Sequence, residues 1–216
     1  MKIEMRDKQE RLHGLYIITD AHIAQQARQP IEALIAQAIA GGARIVQYRN
    51  KHASASTQHQ EALRLAQLCR TQQVTFLVND DVDLAVAVDA DGVHLGQGDL
   101  PIAHARQRLG AQKIIGITCH NELVLAERAQ AEGADYVAFG RFFASHSKPD
   151  APGATLDTLI QAKQCLQLPI CAIGGITPDN APQLIECGVD MLAVIHAVLS
   201  AEDIEQAARQ FANLFA

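Results

Sequence analysis

Two periodicities take turns along the chain. Short runs rich in β-branched and other apolar residues recur at 15–19, 44–49, 75–79, 92–95, 113–118, 136–140, 169–174 and 191–195, and each reads as a strand. Helical spacing fills the intervals. Ile31, Leu34, Ile35, Ala38 and Ile39 share one helical face, as do Ile204, Ala207, Ala208, Phe211, Leu214 and Phe215 near the end. Gly41–Gly42, Gly110, Gly133 and Gly188 each stand between a helical pattern and the next strand, where a left-handed residue ends a helix. Thr177 followed by Pro178 reads as an N-cap with proline at the first helical position, Ser200 with Asp203 as a capping box, and Asp81 as the N-cap of another helix. The pattern "helix, Gly, Ala or Val, strand" recurs in GGARIVQ, EGADYVA and CGVDMLAV.

Eight strands alternating with helices imply parallel βαβ units. Eight is the number that closes a barrel, and 216 residues lie near the small end for that fold. The expected fold class is therefore α/β, a single (β/α)8 barrel. The alternative is an open doubly wound sheet. It lacks support because the turn after the first strand reads TDAHIAQ rather than a glycine-rich dinucleotide loop. No linker interrupts 14–216, so one catalytic domain is expected there, with the polar residues 1–13 as a flexible arm.

Composition changes this picture little. Hydrophobic residues at 49% and charged residues at 19% suit a globular domain. A net charge of −6 and no basic run argue against a nucleic-acid partner. No apolar stretch is long enough for a membrane span, and the charged start is no secretory signal. The five cysteines are scattered without a CxxC pair, which suits buried thiols in a reducing cytoplasm.

In such a barrel the chemistry belongs just after the strands, at their carboxyl ends. The polar residues fall there. After the second strand, period two puts Gln47, Arg49 and Lys51 on the barrel side and Val46 and Tyr48 on the helix side. The third strand ends Asn79–Asp80–Asp81, and the fourth leads through His94 to Asp99. Asp80 and Asp99 are thus carboxylates on adjacent strand ends, oxygen ligands of the kind Mg2+ takes alongside substrate phosphates. The sixth strand leads to Ser145, Ser147 and Lys148, donors for a phosphate. Gly174 and Gly175 follow the seventh strand, and Ile195 and His196 the eighth, where many barrels hold a phosphate. His94, His120 and His196 show no zinc-site spacing. Cys119 and His120 are consecutive in a strand and face opposite ways, which disfavours a nucleophilic dyad. The residues thus outline two anionic sites in one mouth, suited to joining two phosphorylated substrates.

Taken in order, one per strand end, the segments GLYIITD, VQYRNK, FLVNDDVDLA, GVHLGQGD, IIGITCHN, YVAFGRFFASHSKP, AIGGITPDN and MLAVIHAV resemble the thiamine-phosphate synthase family over about residues 14–212. The resemblance implies a cytoplasmic transferase. It joins 4-amino-5-hydroxymethyl-2-methylpyrimidine pyrophosphate to 4-methyl-5-(2-hydroxyethyl)thiazole phosphate, with Mg2+, giving thiamine phosphate and pyrophosphate. It places the metal on Asp80 and Asp99. Gln47, Arg49, Lys51, Asn79, Thr118 and Lys148 then face the pyrophosphate and pyrimidine with His94 beside them, and Arg49, Thr118 and Lys148 carry the catalytic load. Ser145, Ser147, Gly175, Ile195 and His196 face the thiazole phosphate. The family mechanism is dissociative, so no protein nucleophile is needed. The chain departs from the family pattern at Ser145 and Ser147 (usually threonine), Ala144 (commonly proline) and His196 (usually serine). Two alternatives remain: an isomerase of the thiazole tautomerase kind, which lacks the metal aspartates and the basic set, and a barrel that binds a thiazole phosphate without turnover.

Overall fold

The computed structural model describes residues 8–144 and 153–216. Eight parallel strands close into a barrel in chain order: β1 (Gly14–Ile18), β2 (Ile45–Tyr48), β3 (Thr75–Asn79), β4 (Gly92–Leu95), β5 (Ile114–His120), β6 (Tyr136–Phe139), β7 (Ile170–Ile173) and β8 (Met191–Val194). β8 pairs with β1, so no strand edge remains open. The closed barrel settles the choice against an open sheet.

Alternation along the strands divides the core in two. Leu15, Ile17, Val46, Tyr48, Val78, Val93, Ile115 and Val137 point outward into a continuous layer shared with the helices. Tyr16, Ile18, Ile45, Leu77, Ile114, Tyr136, Ala138, Cys171 and Met191 fill the interior. Gly116 serves that interior directly. A Cβ there would stand 2.0 Å from Cζ of Tyr136, so the glycine is the space the tyrosine ring occupies.

An aspartate stands just before three of the even-numbered strands. Asp91, Asp135 and Asp190 precede β4, β6 and β8. Their carboxylates accept the backbone N–H of Phe76, Ile115 and Ile170, each at 2.8 Å, on a neighbouring strand. These N–H groups lie at the barrel's lower rim, where the charge-assisted bonds hold strand starts in register.

Three sequence expectations need correction. The helix expected from Thr177 begins at Ala181. Thr177 opens a turn instead: its N–H donates to Asn180 Oδ1 (2.9 Å) and its carbonyl accepts from Asn180 and Ala181. The folded-back asparagine competes with the helical pattern. Ser200 ends the short helix His196–Leu199, and Asp203 alone caps Ile204–Ala212 by accepting from Gln206 N at 2.8 Å. Asp81 does cap its helix, accepting from Leu84 N at 2.8 Å. Finally, from residue 8 onward the expected arm is docked. Lys8–Arg11 form a helical turn, Lys8 reaches the Ala111 and Lys113 carbonyls and Asp135, and Arg11 pairs with Asp91. Leu12, buried to 1% exposure, joins the interior cluster. A barrel open at its lower end would leave Ile45 and Ile114 wet, and Leu12 covers them.

Candidate active site

The mouth is built from strand ends inward. Thr19, after β1, donates through Oγ1 to the Arg49 carbonyl (3.1 Å) and accepts from the Arg49 N–H (2.7 Å). The loops after β1 and β2 are thereby tied together, and the backbone that presents Arg49 is fixed. The Arg49 side chain is half-buried and makes no ion pair among the described residues. Lys51, two residues on, pairs with Asp80 at 2.8 Å. Asp80 sits in a left-handed conformation (φ 64°) that turns the chain sharply off β3, and its N–H donates to the His94 carbonyl of β4 at 2.9 Å. In β-region backbone its carboxylate would continue the strand direction, whereas here it is turned toward the next strand's loop. There the Gly96–Asp99 turn folds back, Asp99 Oδ2 accepting the Gly96 N–H at 2.6 Å.

Asp80 and Asp99 lie close enough to influence one another, and their environments push them apart. Burial would raise Asp80, but the Lys51 ammonium, Asp99 and Asn79 outweigh it and hold the carboxyl below the usual range. Burial raises Asp99; the Gly96 N–H opposes this, and the neighbouring Asp80 charge adds to the rise. Two carboxylates crowded around one ammonium form a site with spare negative charge. No cluster of three or more His, Cys, Asp or Glu side chains suited to a metal occurs among the described residues. The pair fits a cation that takes few protein oxygens and completes its shell with water and ligand phosphates, the habit of Mg2+.

Below this rim the interior is polar. Gln47, at 2% exposure, donates through Nε2 to the Tyr16 hydroxyl at 2.5 Å. Tyr16 and Tyr136 hydroxyls lie 2.9 Å apart. His94 meets Tyr136 through Nδ1 and Thr118 Oγ1 through Nε2, both at 2.8 Å, and its ring stacks on Tyr136 with centroids 5.5 Å apart. Gln97 Nε2 donates to the Thr118 carbonyl at 2.6 Å. Gln47 thus lies deeper than Arg49, while Tyr48 faces outward and donates to Glu61 at 2.7 Å.

The other side of the mouth is closed by loop packing. A Cβ on Gly175 (φ 63°) would stand 2.2 Å from the Ala144 carbonyl oxygen, and one on Gly174 2.3 Å from Cβ of Arg141. Phe143 N donates to the Gly174 carbonyl at 3.0 Å. The glycines expected to admit an anion are therefore used first to admit the loop after β6. Ile195 precedes the turn His196–Leu199 and packs against both cores, and His196 is partly exposed beside it. Ser145, Ser147 and Lys148 lie outside the described residues. Cys119 is fully buried in the outer layer and burial pushes its thiol up to about 12, consistent with the rejected dyad.

The interior tyrosines Tyr16 and Tyr136 had not been singled out from sequence. Their signal was available: both occupy inward positions, where a buried phenol needs partners. At the opposite end lies a cleft of about 810 Å3 lined by Arg11, Arg44, Arg70, Lys113, Asp89 and Asp91 among others. Helices Ile31–Ala40 and Ala55–Gln72 end there. Its cations complement those carboxyl-terminal dipoles and the two aspartates, so it reads as a structural face.

A closed parallel barrel with carboxylates and cations gathered at the carboxyl ends of its strands defines the class, a (β/α)8 barrel enzyme. The chain is 52% identical over 211 residues to a thiamine-phosphate synthase of Alcanivorax borkumensis, covering 95% of each. It is 48% identical over 214 residues to one of Thioalkalivibrio sulfidiphilus, covering 98% of this chain and 99% of that one. Among solved structures it resembles a thiamine phosphate pyrophosphorylase from Pyrococcus furiosus, with a TM-score of 0.87, 36% identity and coverage of 97% and 98%. The model of the thiamine monophosphate synthase family matches residues 15–198, and the chain belongs to that family.

Proposed function

We propose that this protein is a thiamine-phosphate synthase. It transfers the pyrimidine methylene of 4-amino-5-hydroxymethyl-2-methylpyrimidine pyrophosphate to the ring nitrogen of 4-methyl-5-(2-hydroxyethyl)thiazole phosphate. The observation that carries the reading is Asp80, paired with Lys51 at 2.8 Å and set beside Asp99, at the rim of a barrel whose family is shown. Mg2+ held by the two aspartates would neutralise charge on the departing pyrophosphate. Arg49, Lys51 and Lys148 bind its oxygens, and Thr118 donates a hydrogen bond from below. The bond between the methylene carbon and the pyrophosphate oxygen breaks with its electron pair leaving on oxygen. The thiazole nitrogen lone pair then forms the new C–N bond. The chain's residues orient both partners and stabilise the leaving charge, and none is consumed. Gln47 and His94 line the pyrimidine end. Ser145, Ser147, Gly175, Ile195 and His196 bind the thiazole phosphate. Among the described residues no helix is long and apolar enough to cross a membrane; the cytoplasmic location is part of the proposal and follows from the soluble phosphorylated substrates it assigns.

The test is incubation of the purified protein with both substrates and Mg2+, scoring thiamine phosphate and pyrophosphate together. Equimolar appearance of the two supports the reading. Isomerisation of a thiazole phosphate alone, or binding of it without turnover, would replace the synthase with one of the two alternatives.

A further inference from the structure

The hydrogen bonds inside the barrel form one uninterrupted chain: Gln47, Tyr16, Tyr136, His94, Thr118. Its members come from β2, β1, β6, β4 and β5. Each phenol has one proton to give. Tyr16 and Tyr136 are 1% and 0% exposed, and desolvation raises both phenols far above the ordinary value, so both remain protonated. We propose that Tyr16 and Tyr136 are positioning residues: together with Gln47 they run a one-way hydrogen-bond chain that holds His94 as its Nε2–H tautomer and leaves the Thr118 hydroxyl as a donor to the mouth.

The direction follows from proton counting. Gln47 presents its amide nitrogen to the Tyr16 oxygen at 2.5 Å and can only donate there. The Tyr16 proton then goes to the Tyr136 oxygen at 2.9 Å. Tyr136, having accepted, gives its proton to His94 Nδ1 at 2.8 Å. Nδ1 is therefore bare, and the imidazole proton sits on Nε2, donating to Thr118 Oγ1 at 2.8 Å. Thr118 has accepted, so its own proton is released toward the half-exposed rim. Reversal at any link reverses all of them, and then Thr118 spends its proton on His94 and meets a ligand only as an acceptor. For an anionic ligand the two directions have opposite signs: a donor stabilises developing negative charge and a lone pair repels it. The value of this donor to catalysis rests on the synthase reading. The tautomer does not, because it is a property of the ligand-free protein.

Two features mark the chain as built for this purpose rather than as incidental packing. Gly116 gives up its side chain to let the Tyr136 ring in. His94 stacks on that same ring, which opposes the χ2 flip that would put ring carbons where its two nitrogens now meet Tyr136 and Thr118.

The experiment is long-range ¹H–¹⁵N NMR of the histidine-labelled full chain, with His94 assigned by His94→Gln, alongside steady-state kinetics. The wild type is expected to show a bare Nδ1 and a protonated Nε2. Tyr136→Phe removes the donor that biases Nδ1, so the signal should move toward a mixture of tautomers. kcat should then fall about tenfold with KM nearly unchanged, since the donor matters most to the leaving charge. Gln47→Glu puts an acceptor at the head of the chain and should reverse it, giving Nδ1–H. Tyr16→Phe, which keeps the bulk of the ring, should also loosen the bias and provides a second variant if Gln47→Glu does not fold. An Nδ1–H tautomer in the wild type overturns the proposal, as does a tautomer unmoved in both tyrosine variants. The expected tautomers in a protein without synthase activity would uphold the chain and sink the function instead.

Discussion

Gly116→Ala should be among the more damaging single-methyl additions to this protein, and the damage should depend on Tyr136. The new Cβ would lie 2.0 Å from Cζ, 2.1 Å from Cε1 and 2.4 Å from the hydroxyl oxygen of Tyr136. Ordinary carbon contacts begin near ~3.5 Å, so the ring must retreat by roughly 1.5 Å. It has nowhere to go, because Tyr136 is 0% exposed and held by Tyr16 and His94. Overpacking of this kind costs about 1–3 kcal/mol, and each buried hydroxyl contact broken adds about 1 kcal/mol or more. Backbone conformation adds no penalty, since Gly116 does not occupy the positive-φ region, and alanine there even gains a few tenths of a kcal/mol in the unfolded state. The net expectation is about 3 kcal/mol, or a fall in Tm of roughly 6–12 °C for a chain of this size. The assay is urea unfolding of wild type, Gly116→Ala, Tyr136→Leu and the double variant. Leucine lacks the atoms the new methyl strikes, so in that background Gly116→Ala should be neutral or stabilising, a coupling of about 2–3 kcal/mol. A Gly116→Ala protein within ~0.5 kcal/mol of wild type, or one equally destabilised in both backgrounds, would refute the claim that the glycine exists to house the ring.

Other expectations follow from the rim. Asp80→Ala and Asp99→Ala should each lower Mg2+-supported turnover by about 10²–10³ with urea midpoints little changed; near-normal rates in both would remove the metal from this pair. Arg49→Lys should cost more in kcat/KM for the pyrimidine pyrophosphate than for the thiazole phosphate, because an ammonium cannot grip two oxygens as a planar fork does; equal losses would place Arg49 elsewhere. In the native protein at pH 8, iodoacetamide should label exposed Cys165, as read by peptide mass spectrometry. Cys119, its thiol pushed up to about 12 by burial, should stay unmodified, with a thiolate fraction of roughly one in ten thousand; equal labelling would show that β5 opens readily.

Much of the fold was legible because it depends on short-range alternation. All eight expected strands occur, with no end moved by more than two residues. The prediction that Gln47 turns inward and Tyr48 outward follows from period two alone, and the structure places Gln47 on Tyr16 and Tyr48 on Glu61. Asp80 and Asp99 could be paired from sequence because adjacent parallel strands deliver their ends to one rim. Helix starts were less legible. At 177–181 a threonine and an asparagine compete for the same backbone groups, and only the folded geometry shows that the Asn180 side chain wins. Residues 8–13 read as polar, and in such a stretch one leucine carries little weight until the barrel's lower opening is seen to need a cover.

The interior chain was out of reach for a different reason. Tyr16 and Tyr136 are 120 positions apart, and nothing in local spacing says that β1 and β6 aim their phenols at one point. Two clues were nonetheless present. Gly116 lies in the middle of a strand, where glycine weakens packing unless another group must come close. Two of the chain's three tyrosines fall on inward positions, although the interior of a small barrel is otherwise filled by aliphatic side chains. Read together, a missing side chain on one strand and a polar tip on another demand each other, since the ring needs the space and the hydroxyl needs a partner. The same logic carries from stability to function: a buried network tolerates no unsatisfied member, so whatever fixes its first donor also fixes its last. In this barrel the first is an amide packed in the interior and the last is a hydroxyl at the rim. The rigidity that makes Gly116→Ala costly is thus what would keep the Thr118 proton pointed at the ligand.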